Sequence, residues 1–269
     1  MVDIKFNFNR AHLGHLMSII ADLYKVNKIV KIKIEGEHTS IYTVDSVSKT
    51  LVSAYKSFNV DTNFFFDIID YEKDNGFRDD EDEIPELKLD LVIPNASVFN
   101  KKLSFLKLSD GDIKGKFSVR NEVDGVKIVF GFYMSDGKFK FSLVGGEIGE
   151  IRDISKDKLA ALIDPTNSIT ELEIPSEEFV NGKRASEIDS DSEITTITMK
   201  NGTVFIGQDS WEMKIAECDP SVDKIMQFNK KFMKSMNPNA EFIKFRVYET
   251  FFLYYTDIEK FMISYEITV

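Results

Sequence analysis

The chain has 269 residues, with 34 Lys and Arg against 45 Asp and Glu and a formal charge of −11. At about 150 residues per domain this predicts two domains, each large enough to bury a core without covalent staples. A hydrophobic content of 43% excludes wholesale disorder, no apolar run reaches the ~18 residues of a membrane span, and the single cysteine, Cys218, excludes a disulfide framework or Cys-cluster metal site.

Met1 to Arg10 lacks a signal-peptide core, so a cytoplasmic location is expected. The negative charge argues against plain electrostatic adhesion to DNA, yet allows basic residues to gather on one face. With 23 Phe and 9 Tyr against 14 Gly and 6 Pro, a β-rich fold is expected, because aromatics suit the pleated, half-buried surface of a sheet.

Taken in order, Ala11 to Val26 predicts a helix with Leu13, Leu16, Met17, Ile20, Leu23 and Tyr24 on one face. A hairpin follows through Ile29–Ile34 and Ile41–Val44, then further strand within 50–69. The acidic stretch 74–86 reads as an exposed loop. After a strand from Leu87 to Ile93, a second helix is expected over Asn95–Leu108, with Val98, Phe99, Leu103 and Leu106 inward. Strands 113–119, 126–134 and 139–144 then turn at Asp124-Gly125 and Asp136-Gly137. Residues 148–170, with a short helix near Lys158–Ile163, read as a connection between domains 1–147 and 171–269. The second domain predicts a strand at 169–174, a third helix at 175–188, and a hairpin turning at Asn201-Gly202. A strand at 211–217, a fourth helix at 222–236 and three closing strands complete it.

Both halves thus present the same element order. Phe99-Asn100-Lys101-Lys102 matches Phe228-Asn229-Lys230-Lys231, and Phe117-Ser118-Val119 matches Phe245-Arg246-Val247. Asp136-Gly137-Lys138-Phe139 parallels Asp257 to Phe261, and Asp45-Ser46 parallels Asp209-Ser210. Ordered matches on like elements predict a tandem duplication. A repeated domain with free sheet edges can close a ring by pairing with its next copy.

The helices are short of acid. The fourth offers Lys224, Lys230, Lys231 and Lys234 beside a predicted stripe of Val222, Ile225, Phe228, Phe232 and Met236. The second offers Lys101, Lys102 and Lys107, the third Lys183 and Arg184, and the first is flanked by Arg10, Lys25, Lys28 and Lys31. Such faces either meet a phosphate backbone without reading bases or are ordinary solvated surfaces covered by lysine stems.

This arrangement resembles the DNA polymerase sliding clamps, above all the trimeric type of T-even-like bacteriophages and, more distantly, proliferating cell nuclear antigen. The resemblance rests on the two-domain repeat, the basic helices and the acidic balance, and on no signature motif. It implies an α+β fold of two tandem clamp-like domains, each an antiparallel sheet covered by two helices, assembling into a closed ring. It further implies a viral homotrimer encircling double-stranded DNA, tethered to a DNA polymerase, opened by a clamp loader, and with no membrane partner. A partner-peptide pocket would involve Ile151, Leu159, Leu162, Tyr265 and Ile267. A structural β-rich oligomer such as a virion component is the alternative, and a metabolite-binding module is a third reading.

No catalytic constellation assembles, so no enzymatic activity, cofactor or metal is expected. His12 and His15 lack a third ligand nearby in sequence. The stretch 189–200 fails as a calcium loop, with Ile194 and Lys200 where Gly and Glu are needed. Gly145-Gly146 is followed by no Lys-Ser/Thr of a phosphate loop.

Overall fold

A computed structural model describes residues 2–46, 52–70, 87–147, 149, 154–188, 192–236 and 241–267. The acidic stretch 74–86 lies outside the described residues. The chain divides into two compact units, Met1–Thr43 with Ser57–Arg152, and Val44–Lys56 with Asp153–Val269. The chain crosses between units three times; the last crossing falls within the 148–170 stretch, and 44–56 is a loan to the second unit.

The first half of the chain forms β1 (Val2–Phe8), α1 (Leu13–Val26), β2 (Val30–Glu35), β3 (His38–Ser46), β4 (Val52–Asp61), a single helical turn α2 (Thr62–Phe65) and β5 (Phe66–Asp70). It continues with β6 (Lys88–Ile93), α3 (Ala96–Leu106), β7 (Ile113–Val123), β8 (Val126–Ser135) and β9 (Lys140–Val144). Within unit 1, β2 pairs with β3 and β6, β1 pairs with β7 and β5, and β7–β8–β9 form a meander. Asp124 and Gly125 both adopt positive φ, 51° and 78°, the conformation a two-residue β7–β8 turn requires.

The core of this unit is aromatic. Phe6, Phe66, Phe117 and Phe132 are all buried, with Phe6–Phe117 centroids 4.7 Å apart and Phe117–Phe132 centroids 5.4 Å apart. α1 buries Leu13, Leu16, Ile19, Ile20, Leu23 and Val26. Tyr24, expected on that face, is exposed. Val26 takes its place because the apolar stripe follows i, i+3, i+4 from Leu16, Ile19 and Ile20. α3 starts at Asn95, whose side chain accepts from Val98 N, and buries Ala96, Phe99, Leu103 and Leu106, leaving Val98 exposed.

The second half forms α4 (Lys156–Leu162), β10 (Thr170–Pro175), α5 (Ser176–Ile188), β11 (Ile194–Lys200), β12 (Thr203–Gln208), β13 (Trp211–Glu217) and β14 (Lys224–Asn229). A 3-10 segment, Lys230–Ser235, follows, then β15 (Phe242–Val247), β16 (Phe251–Tyr255), β17 (Glu259–Ser264) and β18 (Glu266–Ile267). Two sheets result within unit 2. One runs β10–β15–β16–β17 and is completed by 52–56 of β4; the other runs β13–β12–β11–β14–β18. Ser264 Oγ donates to Val52 O at 2.8 Å, and Lys56 Nζ meets Glu259 Oε1 at 2.7 Å, which seats the loaned strand.

The expected fourth helix is not there. From Lys224 to Asn229 burial alternates, with Met226 and Phe228 inside and Ile225 exposed, so the period is that of a strand. Pairing with β11 overrides the local helical pattern, and only Lys230–Ser235 turns, capped by the Asn229 side chain on Lys231 N. The expected Val222–Ile225–Phe228 stripe is replaced by Met226, Phe228, Phe232, Met233 and Met236. Unit 2 therefore has one long helix and a 3-10 turn where two helices were expected.

The duplication is nevertheless visible pairing by pairing. β1·β7, β2·β3, β2·β6, β7·β8 and β8·β9 recur as β10·β15, β11·β12, β11·β14, β15·β16 and β16·β17. Phe117 faces Ile4 and Phe132 in one unit, and Phe245 faces Leu172 and Tyr254 in the other. The last turns also correspond. Asp136 accepts from Phe139 N at 2.7 Å, and Thr256 Oγ1 accepts from Glu259 N at 3.1 Å. The identity of 99–102 with 228–231 is out of register: Phe99 lies inside α3, whereas Phe228 closes β14, the counterpart of β6.

Candidate nucleic-acid interface

In unit 1, α1 packs beside α3. Leu16, Leu23, Phe99 and Leu103 face the core. The outward surface is left to Gly14, His15, Ser18 and Lys25 on α1 and to Lys101, Phe105 and Lys107 at and beyond α3. Lys107 reaches across to Gly14 on α1, where even a β-carbon would meet its Nζ at an ordinary contact distance of 3.6 Å. Lys25 Nζ is held by Asp22 Oδ1 at 2.7 Å. Lys102 Nζ donates to Ser142 O on β9 at 2.8 Å and lies 5.9 Å from the Phe141 ring centroid. Asp22 is the one acid of these two helices; Asp110 and Asp112 follow in the loop after α3.

Two residues expected on this face do other work. The Arg10 guanidinium turns inward and donates to Leu106 O and Gly111 O, each at 2.8 Å, and to Ser109 O. It closes the carbonyl end of α3, where a cation suits the helix dipole. Beside it, Asp136 is fully covered. Burial would raise its carboxyl, but the Phe139 N–H, the Ser109 side chain, the Lys138 N–H and Arg10 together hold it below the usual carboxylate range. Lys31, near the start of β2, is buried, its Nζ 2.7 Å from Asp90 Oδ2 on the neighbouring strand β6.

In unit 2 the basic residues do not share one helix. Lys183 Nζ donates to Met236 O at 3.0 Å, tying α5 to the end of the 3-10 segment, while Arg184 is exposed one residue on. Lys224 pairs with Glu249 Oε1 at 3.2 Å, and Lys231 with Asp45 Oδ2 at 2.6 Å. Lys230 begins the 3-10 turn and Lys234 lies in its last turn, exposed. α5 itself carries Glu177, Glu178 and Glu187 beside Lys183 and Arg184, so it is not a basic face. The sequence overstated the basic surface here because it assumed a helix at 222–236.

Of the residues expected to form a peptide pocket, Ile151 lies outside the described residues. Leu159 is half-buried on α4 and Leu162 is exposed. The carbonyl of Ile163, the residue closing α4, accepts from Tyr248 OH at 2.6 Å. Tyr265 OH donates to Glu249 O at 2.8 Å and to Tyr248 O. Its phenol is pushed well up by burial and by Glu249, so it stays a donor. Tyr248 thus links α4 to Tyr265, with Phe251 stacked on it at 4.4 Å. Ile267 pairs with Met226 through β18. Nothing in the local sequence marks Tyr248, because its role depends on its hydroxyl reaching 85 residues back along the chain.

Among the described residues no three His, Cys, Asp or Glu side chains gather as a metal site. His12 is stacked on Phe64 at 3.7 Å. The Cys218 thiol is pushed up by burial and by Asp219, away from reactivity. No helix among the described residues is long and apolar enough to cross a membrane.

No family model matches the sequence, and no curated relative matches it. Solved structures do. The Helicobacter pylori beta clamp bound to a DNA ligase peptide superposes with a TM-score of 0.64 at 12% identity, covering 98% of this chain and 65% of that one. The Bacillus subtilis DNA polymerase sliding clamp gives 0.61 at 14% identity, over 100% of this chain and 66% of that one. Proliferating cellular nuclear antigen from Entamoeba histolytica gives 0.61 at 16% identity, over 99% of this chain and 100% of that one. The chain has the sliding-clamp fold. It spans about two thirds of the bacterial clamps and the whole of the Entamoeba proliferating cellular nuclear antigen.

Proposed function

We propose that this chain is the subunit of a DNA polymerase sliding clamp, a homotrimeric ring that encircles duplex DNA and confers processivity without an enzymatic activity of its own. The observation that carries the reading is the α1–α3 layer. Lys25, Lys101, Lys102 and Lys107 stand there with Asp22 the one acid of the two helices, on a chain of net charge −11. Lysine ammonium groups exchange phosphate partners readily, which suits a protein that must slide and not grip. The acidic remainder repels DNA from other surfaces.

The duplication supports ring closure. Residues 52–56 of β4 fill the edge of β17 within unit 2. The counterparts of β17 and β4 are β9 and β13. Among the described residues each of these pairs on one side only. A β9 edge against the β13 edge of the next copy repeats the contact heterologously, and such a contact closes a ring if the rotation permits.

A DNA polymerase and a clamp loader are the remaining partners, with α4, Tyr248 and Tyr265 the candidate docking place for their peptides, in the cytoplasm of a virus-infected cell. Light scattering over a wide concentration range tests the assembly. A mass of three chains is expected, followed by loader-dependent retention on nicked circular DNA that is lost on linearisation. A monomer at every concentration, with and without loader and DNA, overturns the proposal.

A further inference from the structure

The open edge of β9 is occupied in the single chain by a side chain of another element. Gly145 N–H bonds Phe130 O, so Gly145, Leu143 and Phe141 address β8 with their backbone groups, and those of Ser142 face away from it. The Ser142 carbonyl on that open side is already engaged. Lys102, half-buried on α3, donates to it from Nζ at 2.8 Å, with the ammonium 5.9 Å from the Phe141 ring centroid. A strand pairing with β9 would run about 4.8 Å away and would offer its own N–H to that carbonyl. The ammonium stands inside this gap.

The counterpart edge in unit 2 carries a strand, for β17 is paired by 52–56 of β4. The two halves of the duplication thus close one edge in two ways, by a strand in unit 2 and by a lysine in unit 1. Lysine is a common protector of edges that must not pair indiscriminately. We propose that Lys102 is a guard on the β9 edge. It caps the edge in the free subunit and must leave Ser142 before a second copy can pair there. This rests on the ring reading, which brings the β13 edge of the next copy to β9.

The guard also couples the ring to its contents. Lys102 shares α3 with Lys101, so phosphate at the α1–α3 layer can receive the ammonium once it lets go. Phosphate binding and strand pairing both favour the released lysine, and each therefore strengthens the other by the same factor.

Lys102→Met keeps the stem over Phe141 and deletes the ammonium, whereas Lys102→Arg keeps a donor. Sedimentation of the fluorescently labelled full chain over serial dilutions gives the subunit dissociation constant. Lys102→Met should associate about three- to tenfold more tightly per contact, the range of one net hydrogen bond, with Lys102→Arg near the parent. Melting of the dilute variants should match the parent. A short linear duplex should tighten association of the parent and of Lys102→Arg more than that of Lys102→Met, which retains Lys101 and Lys107 as a control for simple bridging. Unchanged or weakened association of Lys102→Met overturns the guard, and equal tightening by the duplex overturns the coupling. Ser142→Pro separates this inference from the reading beneath it. If Ser142→Pro dissociates the assembly while Lys102→Met behaves as the parent, the guard alone fails. If Ser142→Pro leaves the mass unchanged, the β9 contact itself fails, and the guard with it.

Discussion

Lys31 and Lys56 end inside the protein, each with its side chain fully covered. Lys31 meets Asp90 at 2.7 Å; Lys56 meets Glu259 at 2.7 Å, also donates to Ser235 O and lies 5.1 Å from the Phe261 ring centroid. Removing one partner of a buried pair strands the other charge, at a cost of about 3–5 kcal/mol. Lys31→Met and Lys56→Met should each lower urea stability by that amount. Adding Asp90→Leu to Lys31→Met should recover most of the loss. Asp136 makes a second residue-scale prediction. Its folded carboxyl titrates below the unfolded value of about 3.9, so its stabilisation is complete above that value and is lost as pH falls through the lowered one. Asp136→Asn should therefore be less stable than the parent at pH 7, with the gap closing below about pH 4 in urea unfolding.

At the level of elements, α1 and α3 separate structural cations from available ones. Arg10 caps α3, so Arg10→Ala should cost about 1–3 kcal/mol in stability by stranding carbonyls, with little change in the salt dependence of DNA retention. Lys101→Glu with Lys107→Glu should do the reverse, leaving melting near that of the parent and abolishing retention on circular DNA. The contrast explains what the sequence could and could not convey. α1, α3 and the Asp124-Gly125 turn were legible because periodicity and turn chemistry are local. Residues 224–229 were not, since Val222, Ile225 and Phe228 are spaced for a helix face as readily as Met226 and Phe228 are for a strand until β11 is beside them. The inward turn of Arg10 and Lys31 was equally hidden, because their acceptors, Leu106 O and Asp90, come from distant segments. Phe117 and Phe245 marked the repeat truly, whereas the more conspicuous identity at 99–102 and 228–231 did not survive superposition of the pairings.

For the whole molecule, the edge of β9 is the place to test the proposed assembly. Gly145 N–H bonds Phe130 O, so alternation leaves the Ser142 N–H pointing away from β8. Ser142→Pro removes a donor from the open edge and none from the β8 ladder. Melting of the dilute chain should change little, while light scattering should show the mass fall toward one chain. An unchanged oligomer would place the contact elsewhere.

The loan of residues 44–56 to the second unit also imposes an order on synthesis. Val52 finds Ser264 across 212 residues of sequence, among the longest closures in the chain. At about 5–20 residues per second, translation leaves that strand waiting roughly 10–40 s for the partner that covers it. During this interval the nascent N-terminal half, with β4 paired to β3 on one side, exposes the other edge of β4, able to capture its neighbour on the same messenger. A chain truncated after 152 holds that strand permanently without its edge, so it should accumulate as aggregate where the full-length protein accumulates in soluble form.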